Sequence, residues 1–311
     1  MKLACVFPGQ GSQSLGMLGA LAEAFPLVRE TFDEASEVLD LDLWEMTQNG
    51  PEDDLNRTEN TQPAMLAAGV AVWRVWTAQG GVEPMVMAGH SLGEYTALVC
   101  AGSLDFDTAV RLVAERGRLM QSAVPAGEGA MAAILGLDDD QVRAVCGKAA
   151  DVGVVEAVNF NAPGQVVIAG ESAAVEQAIA LAKEAGAKRS VKLSVSVPSH
   201  CSLLKAAATN MHARLESVRV GTPAIRVIHN VDVASHVEPD VIRAALAAQI
   251  HRPVRWVETI RAMAEDGVTT VVEMGPGKAL TGMNKRIEKS LATACVHDPD
   301  TLAHALALGG S

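Results

Sequence analysis

Apolar residues fall along this chain in two patterns. Short continuous blocks alternate with longer stretches in which apolar positions recur every three or four residues. Leu3–Phe7 and Met85–Ala88 are blocks of the first kind and predict buried strands. The second pattern predicts helices over residues 20–40 and 62–79, from Glu94 to Ala101, and over 104–124. Beyond Pro125 the spacing shortens. It predicts a strand at 129–136, a helix at 138–150, strands at 154–161 and 165–170 joined through Asn161-Ala162-Pro163-Gly164, a helix at 172–185 and a strand at 188–196. That β-α-β-β-α-β order is the signature of a ferredoxin-like unit. After Pro198 the pattern returns to helix (202–216), strand (225–229), helices (239–248 and 253–266) and strand (269–274), followed by Gly275-Pro276-Gly277-Lys278.

Composition narrows the class. A chain of 311 residues can bury a large core, and one large domain carrying a smaller insert is the simplest expectation. A formal charge of −12 with no dense Lys/Arg block argues against nucleic acid. The apolar stretches are broken well short of a membrane span, and Met1–Gln13 has no signal-peptide hydrophobic region. A cytoplasmic, soluble protein is expected. Cys5, Cys100, Cys146, Cys201 and Cys295 are odd in number and lack metal-ligand spacing, so reduced thiols and no metal are expected.

Gly89-His90-Ser91-Leu92-Gly93 stands between a predicted strand and a predicted helix. Small residues on both sides let strand and helix approach closely while the serine sits exposed on a strained turn. Free N–H groups at the helix start, that of Leu92 first among them, would face an oxyanion formed there. A serine hydroxyl needs a base. Of eight histidines, His200 is best placed, because Val197-Pro198-Ser199-His200 lies where the inserted unit rejoins the main domain. Position alone leaves open a buried histidine bonded to backbone. His90 neighbours Ser91, but its side chain is expected to point away from the hydroxyl, and His212, His236 and His304 read as surface residues. Arg111, Arg116 and Arg118 share one helix and read first as a solvated face; the alternative is a guanidinium that pairs with a substrate carboxylate. Gly9-Gln10-Gly11-Ser12-Gln13 has neither phosphate-loop nor dinucleotide spacing, although a loop directly after the first strand can place an amide opposite the elbow.

Taken in order, Gly9-Gln10-Gly11-Ser12-Gln13, Gly89-His90-Ser91-Leu92-Gly93-Glu94-Tyr95, Arg116-Gly117-Arg118, Asn161-Ala162-Pro163-Gly164-Gln165, Pro198-Ser199-His200, Gln249 and Gly275-Pro276-Gly277-Lys278 resemble the malonyl-CoA:acyl-carrier-protein transacylases of bacterial type II fatty-acid synthesis over residues 6–287. The resemblance implies an α/β-hydrolase-like large domain (1–125 and 199–311) with an inserted ferredoxin-like small domain (126–198) and a site in the gorge between them. It implies Ser91 as nucleophile, His200 as general base oriented by the main-chain carbonyl of Gln249, and the amides of Gln10 and Leu92 as oxyanion donors. Arg116 would bind the malonyl carboxylate, with His90 and Asn161 also at the substrate. Malonyl-CoA is then a substrate and no cofactor is needed. The protein partner is acyl carrier protein, and the family usually works as a monomer. Ala162 departs from the family, where serine is common. An acidic carrier meeting an acidic enzyme needs a local basic surface; Lys285-Arg286 and Lys188-Arg189 are the candidates, each of which could equally be solvated surface. An acyltransferase serving a polyketide synthase, a serine esterase or thioesterase, and a catalytically inert binding module are the rivals.

Overall fold

All five residues of Leu3–Phe7 (β1) are buried, because this strand lies at the centre of a parallel sheet. The computed structural model describes residues 2–125, 127–193 and 197–309. Ala126 and residues 194–196, the end of the strand expected at 188–196, lie outside the described residues.

Five helices follow β1: α1 (Gly19–Ala24), α2 (Leu27–Leu39), α3 (Leu43–Asn49), α4 (Glu52–Leu55) and α5 (Thr58–Ala78). The single helix expected over 20–40 is two, because the residue before a proline is driven out of the α region: Phe25, preceding Pro26, is extended at φ −134°, ψ 99°. Helix α5 begins four residues earlier than expected. Then come β2 (Val86–Gly89), α6 (Gly93–Cys100) and α7 (Phe106–Ala123). The next segment contains β3 (Gly129–Leu135), α8 (Asp139–Ala149), β4 (Val155–Ala162), β5 (Gln165–Glu171), α9 (Ser172–Glu184) and β6 (Arg189–Lys192). The chain continues through a short 3-10 turn, Ser202–Leu204, into α10 (Lys205–Glu216), β7 (Arg226–Ile228), α11 (Pro239–Gln249), α12 (Trp256–Glu265) and β8 (Thr270–Met274). Beyond residue 278 the chain adds α13 (Ala279–Ile287), β9 (Ala292–Val296) and α14 (Pro299–Gly309).

These elements form a mixed α/β fold with two separate sheets. The first is parallel, in the order β7-β2-β1-β8-β9; the second is antiparallel, in the order β4-β5-β3-β6. Apolar side chains from α2, α5 and α7, including Phe32, Trp76 and Val110, cover one face of the parallel sheet, and Trp256, Ile260 and Met263 of α12 cover the other. The antiparallel sheet packs one face on α8 and α9. Its other face carries Met131, Val158 and Val167 against Cys201. Main-chain bonds from Val254 N to Val158 O (2.8 Å), from Phe160 N to Val254 O (3.0 Å) and from His200 N to Ile250 O (3.0 Å) tie the segments together beside this face. The carboxyl ends of the parallel strands β1, β2 and β7 therefore open toward the antiparallel sheet, which is where α/β sheets hold their ligands.

Candidate active site

Ser91 follows the buried strand β2 directly and precedes α6, with φ at +52°. That left-handed conformation is strained for a residue with a side chain. The two flanking glycines are required by close approach: a Cβ on Gly89 would lie 1.8 Å from Gly93 C, and one on Gly93 2.1 Å from Phe7 O. Asn230, just past β7, holds the turn from below. It accepts from Ser91 N (2.8 Å) and donates from Nδ2 to Gly89 O (2.7 Å).

His200 is buried, and it too has a positive φ, +68°. Its Nδ1 lies 2.7 Å from the main-chain oxygen of Gln249 at the end of α11. A carbonyl oxygen only accepts, so Nδ1 carries the proton and Nε2 presents its lone pair. Ser91 Oγ is 2.8 Å from that Nε2. Burial, and then the nearby Arg116 charge, push the imidazole pKa down from 6.5 to about 3. Such a histidine is already a free base at neutral pH. Because the folded pKa is the lower one, the associated stability is fully present above the unfolded value of 6.5 and is lost as pH falls from there toward 3. The pH profile of kcat/KM, which reports the free enzyme, is accordingly expected to stay flat between pH 8 and 5.5. A half-maximal loss near 6.5 would contradict the lowered pKa of His200.

Arg116 corrects the solvated-face reading of its helix. Arg111 and Arg118 of α7 are exposed, but Arg116 is only 1% exposed, since residues two apart on a helix point about 200° apart. Its Nη1 donates to Gln62 Oε1 (2.9 Å), and its Nη2 to Gln249 Oε1 (2.9 Å) and, more weakly, to Ser91 Oγ (3.3 Å). A buried guanidinium thus stands beside the serine hydroxyl, and among the described residues its hydrogen-bond partners are neutral oxygens.

Ser91, His200 and Arg116 line a pocket of about 100 Å³ together with Gln10, Leu92 and His90. Among the described residues no protein acceptor takes the backbone N–H of Gln10 or of Leu92, and both residues line this pocket. His90 points away from the hydroxyl as expected, its Nε2 lying 2.8 Å from Asn161 Oδ1. Asn161 is buried behind it and is not among the pocket-lining residues. Of the histidines expected at the surface, His212 and His304 are exposed, but His236 is half-buried, stacked on His229 with ring centroids 5.1 Å apart. Lys285, Lys188 and Arg189 are exposed. Arg286 is exposed too, but its guanidinium is engaged, donating to Gln165 Oε1 (2.6 Å) and Pro163 O (3.1 Å) on the β4–β5 turn. Sequence reasoning missed Asn230, Gln62 and the buried Glu94–His229 pair. Nothing in the chain flags residues brought in from 54 to 141 positions away.

A serine on a strand-to-helix turn, a neutral histidine at its hydroxyl and an arginine alongside form an arrangement that can activate a hydroxyl for attack on an acyl carbonyl. The family model described as "Acyl transferase domain" matches residues 4–299, and the chain belongs to this family. It is 56% identical over 298 residues to a protein named malonyl CoA-acyl carrier protein transacylase from Haemophilus influenzae, covering 96% of each chain. Among solved structures it is similar to an acyl carrier protein S-malonyltransferase from Vibrio cholerae (TM-score 0.95, 55% identity, 98% of this chain and 99% of that one). It is also similar to a malonyl-transacylase in complex with its type II PKS acyl-carrier protein (TM-score 0.98, 54% identity, 99% of this chain and 100% of that one).

Proposed function

We propose that this chain transfers the malonyl group of malonyl-CoA to acyl carrier protein through a malonyl-serine ester, supplying fatty-acid elongation. The observation that carries the reading is the convergence on one hydroxyl of a free imidazole nitrogen at 2.8 Å and a buried guanidinium at 3.3 Å. Ser91 Oγ attacks the thioester carbonyl while its proton passes to His200 Nε2. The tetrahedral oxyanion is met by the N–H groups of Gln10 and Leu92, each contributing about 3 kcal/mol to lowering the barrier. Collapse expels the CoA sulfur, which takes the proton from His200. The phosphopantetheine thiol of the carrier then attacks the ester, its proton goes to His200 and on to Ser91, and the hydroxyl is regenerated. Arg116 pairs with the malonyl carboxylate, and His90, braced by Asn161, closes the substrate side. No metal or redox cofactor enters these steps.

The scaffold reads in the same terms. Residues 1–125 and 199–311 are taken as an α/β-hydrolase-like domain and 126–198 as a ferredoxin-like insert; two helices on one face of a β4-β5-β3-β6 sheet support the latter. An esterase would have no use for a buried arginine at its hydroxyl, which disfavours that rival. The likeness to the PKS-associated enzyme keeps a polyketide carrier as the second reading.

Two-substrate kinetics test the route. Parallel double-reciprocal lines for malonyl-CoA and holo carrier protein are expected, and intersecting lines would reject the covalent intermediate. In the same assay Lys285→Glu and Lys188→Glu should raise KM for the carrier and leave the malonyl-CoA half-reaction intact, with salt mimicking part of the loss. Unchanged carrier kinetics in both variants would move docking elsewhere. Arg286 is a poorer probe, because its reversal would also break its bonds to the β4–β5 turn.

A further inference from the structure

Directly beneath Ser91 lies the side-chain amide of Gln249, completely buried. Its Nε2 donates to the main-chain oxygen of Ser91 and to Glu94 Oε2, both at 2.9 Å, and its Oε1 accepts from Arg116 Nη2 at 2.9 Å. The orientation of this amide is forced by chemistry: the Ser91 carbonyl and the Glu94 carboxylate can only accept, and a guanidinium can only donate. Glu94, also completely buried, is itself fixed by His229 Nδ1 (2.7 Å) on one oxygen and by Asn230 N (2.9 Å) on the other.

We propose that Glu94 is a positioning residue for acyl-group selection: by holding Gln249 Nε2 it keeps Gln249 Oε1 turned to Arg116, aiming the guanidinium at the acyl site. The inference rests on the reading of Arg116 as the malonyl-carboxylate partner and goes one link further back. Interposing a neutral amide matters physically. A carboxylate bonded directly to Arg116 would satisfy the cation within the protein and compete with the substrate carboxylate, whereas an amide oxygen orients the guanidinium and leaves its charge unmatched. The Glu94 charge is taken up on its far side by His229. Burial works against a charge on that imidazole, but the Glu94 carboxylate outweighs it and holds the pKa above 6.5, favouring an ion pair with no net charge. Arg116 then remains the unmatched charge of the site. Without an acceptor at position 94, only the Ser91 carbonyl still holds the Gln249 amide nitrogen, and the amide is freer to rotate its oxygen away from Arg116.

The test is the ratio of malonyl to acetyl transfer, because a loss of general integrity lowers both. In Glu94→Met, which removes the acceptor of Gln249 Nε2, kcat/KM for malonyl-CoA is expected to fall about tenfold, the scale of a lost hydrogen bond to a charged group, while kcat/KM for acetyl-CoA falls far less. In a Gln249→Met background, which keeps the main-chain carbonyl on His200, Glu94→Met should cause no further loss of preference, because the two residues act in series. Equal falls for both acyl groups, or additive effects on the ratio, would overturn the proposal. Should Glu94→Met fail to fold, Gln249→Met alone decides: a malonyl preference retained at the wild-type level overturns it. If the wild-type protein shows no preference for malonyl over acetyl, the reading of Arg116 fails instead.

Discussion

Replacing His200 by alanine is expected to slow acylation of Ser91 by malonyl-CoA by about 10² to 10⁴. The imidazole is held on both sides, by the Gln249 carbonyl at Nδ1 and the Ser91 hydroxyl at Nε2, and no other histidine is placed to substitute for it. His90 is committed to Asn161, and His229 is bonded to Glu94 on the far side of the Gln249 amide. The variant retains Arg116 and the two free amides, so substrate should still bind and a residual rate should remain above background. Single-turnover quench measurements on the folded variant check this. Near-normal acylation would assign the proton transfer to another group.

The second large effect is one of selectivity. Arg116→Ala should cost malonyl transfer about 1.5 to 3 kcal/mol, roughly 10- to 150-fold in kcat/KM, the range for a hydrogen bond to a charged group. Acetyl transfer should fall far less, because an acetyl group carries no carboxylate to pair with the guanidinium. Loss of Arg116 also removes the second cause of the low His200 pKa. Both acyl groups would feel that change alike, which leaves the ratio as the informative quantity. Equal losses would make Arg116 a structural cation.

What was legible in the sequence was local. The elbow could be read because its constraints, two glycines and a serine between an apolar block and a helix, lie within five consecutive residues, and the close approaches at Gly89 and Gly93 bear this out. The β-α-β-β-α-β order between residues 129 and 192 could be read because each element carries its own apolar period. Arg116 could not be placed from its helix alone. Its burial depends on Gln62 and Gln249, 54 and 133 residues away, and three arginines on one amphipathic helix give no hint that one of them turns inward. Asn230 and His229 follow a strand of only three residues and carry no motif. Glu94 was visible within the motif but reads as an ordinary acidic residue in the first turn of a helix; its burial and its hold on Gln249 exist only in three dimensions.

Intact-protein mass spectrometry with peptide mapping tests the central claim most directly. After exposure to malonyl-CoA the protein should gain one malonyl group, mapped to Ser91, and holo acyl carrier protein should then remove it, while Ser91→Ala should gain none. A label on Ser12, Ser199 or a cysteine, or undiminished labelling of Ser91→Ala, would contradict the account.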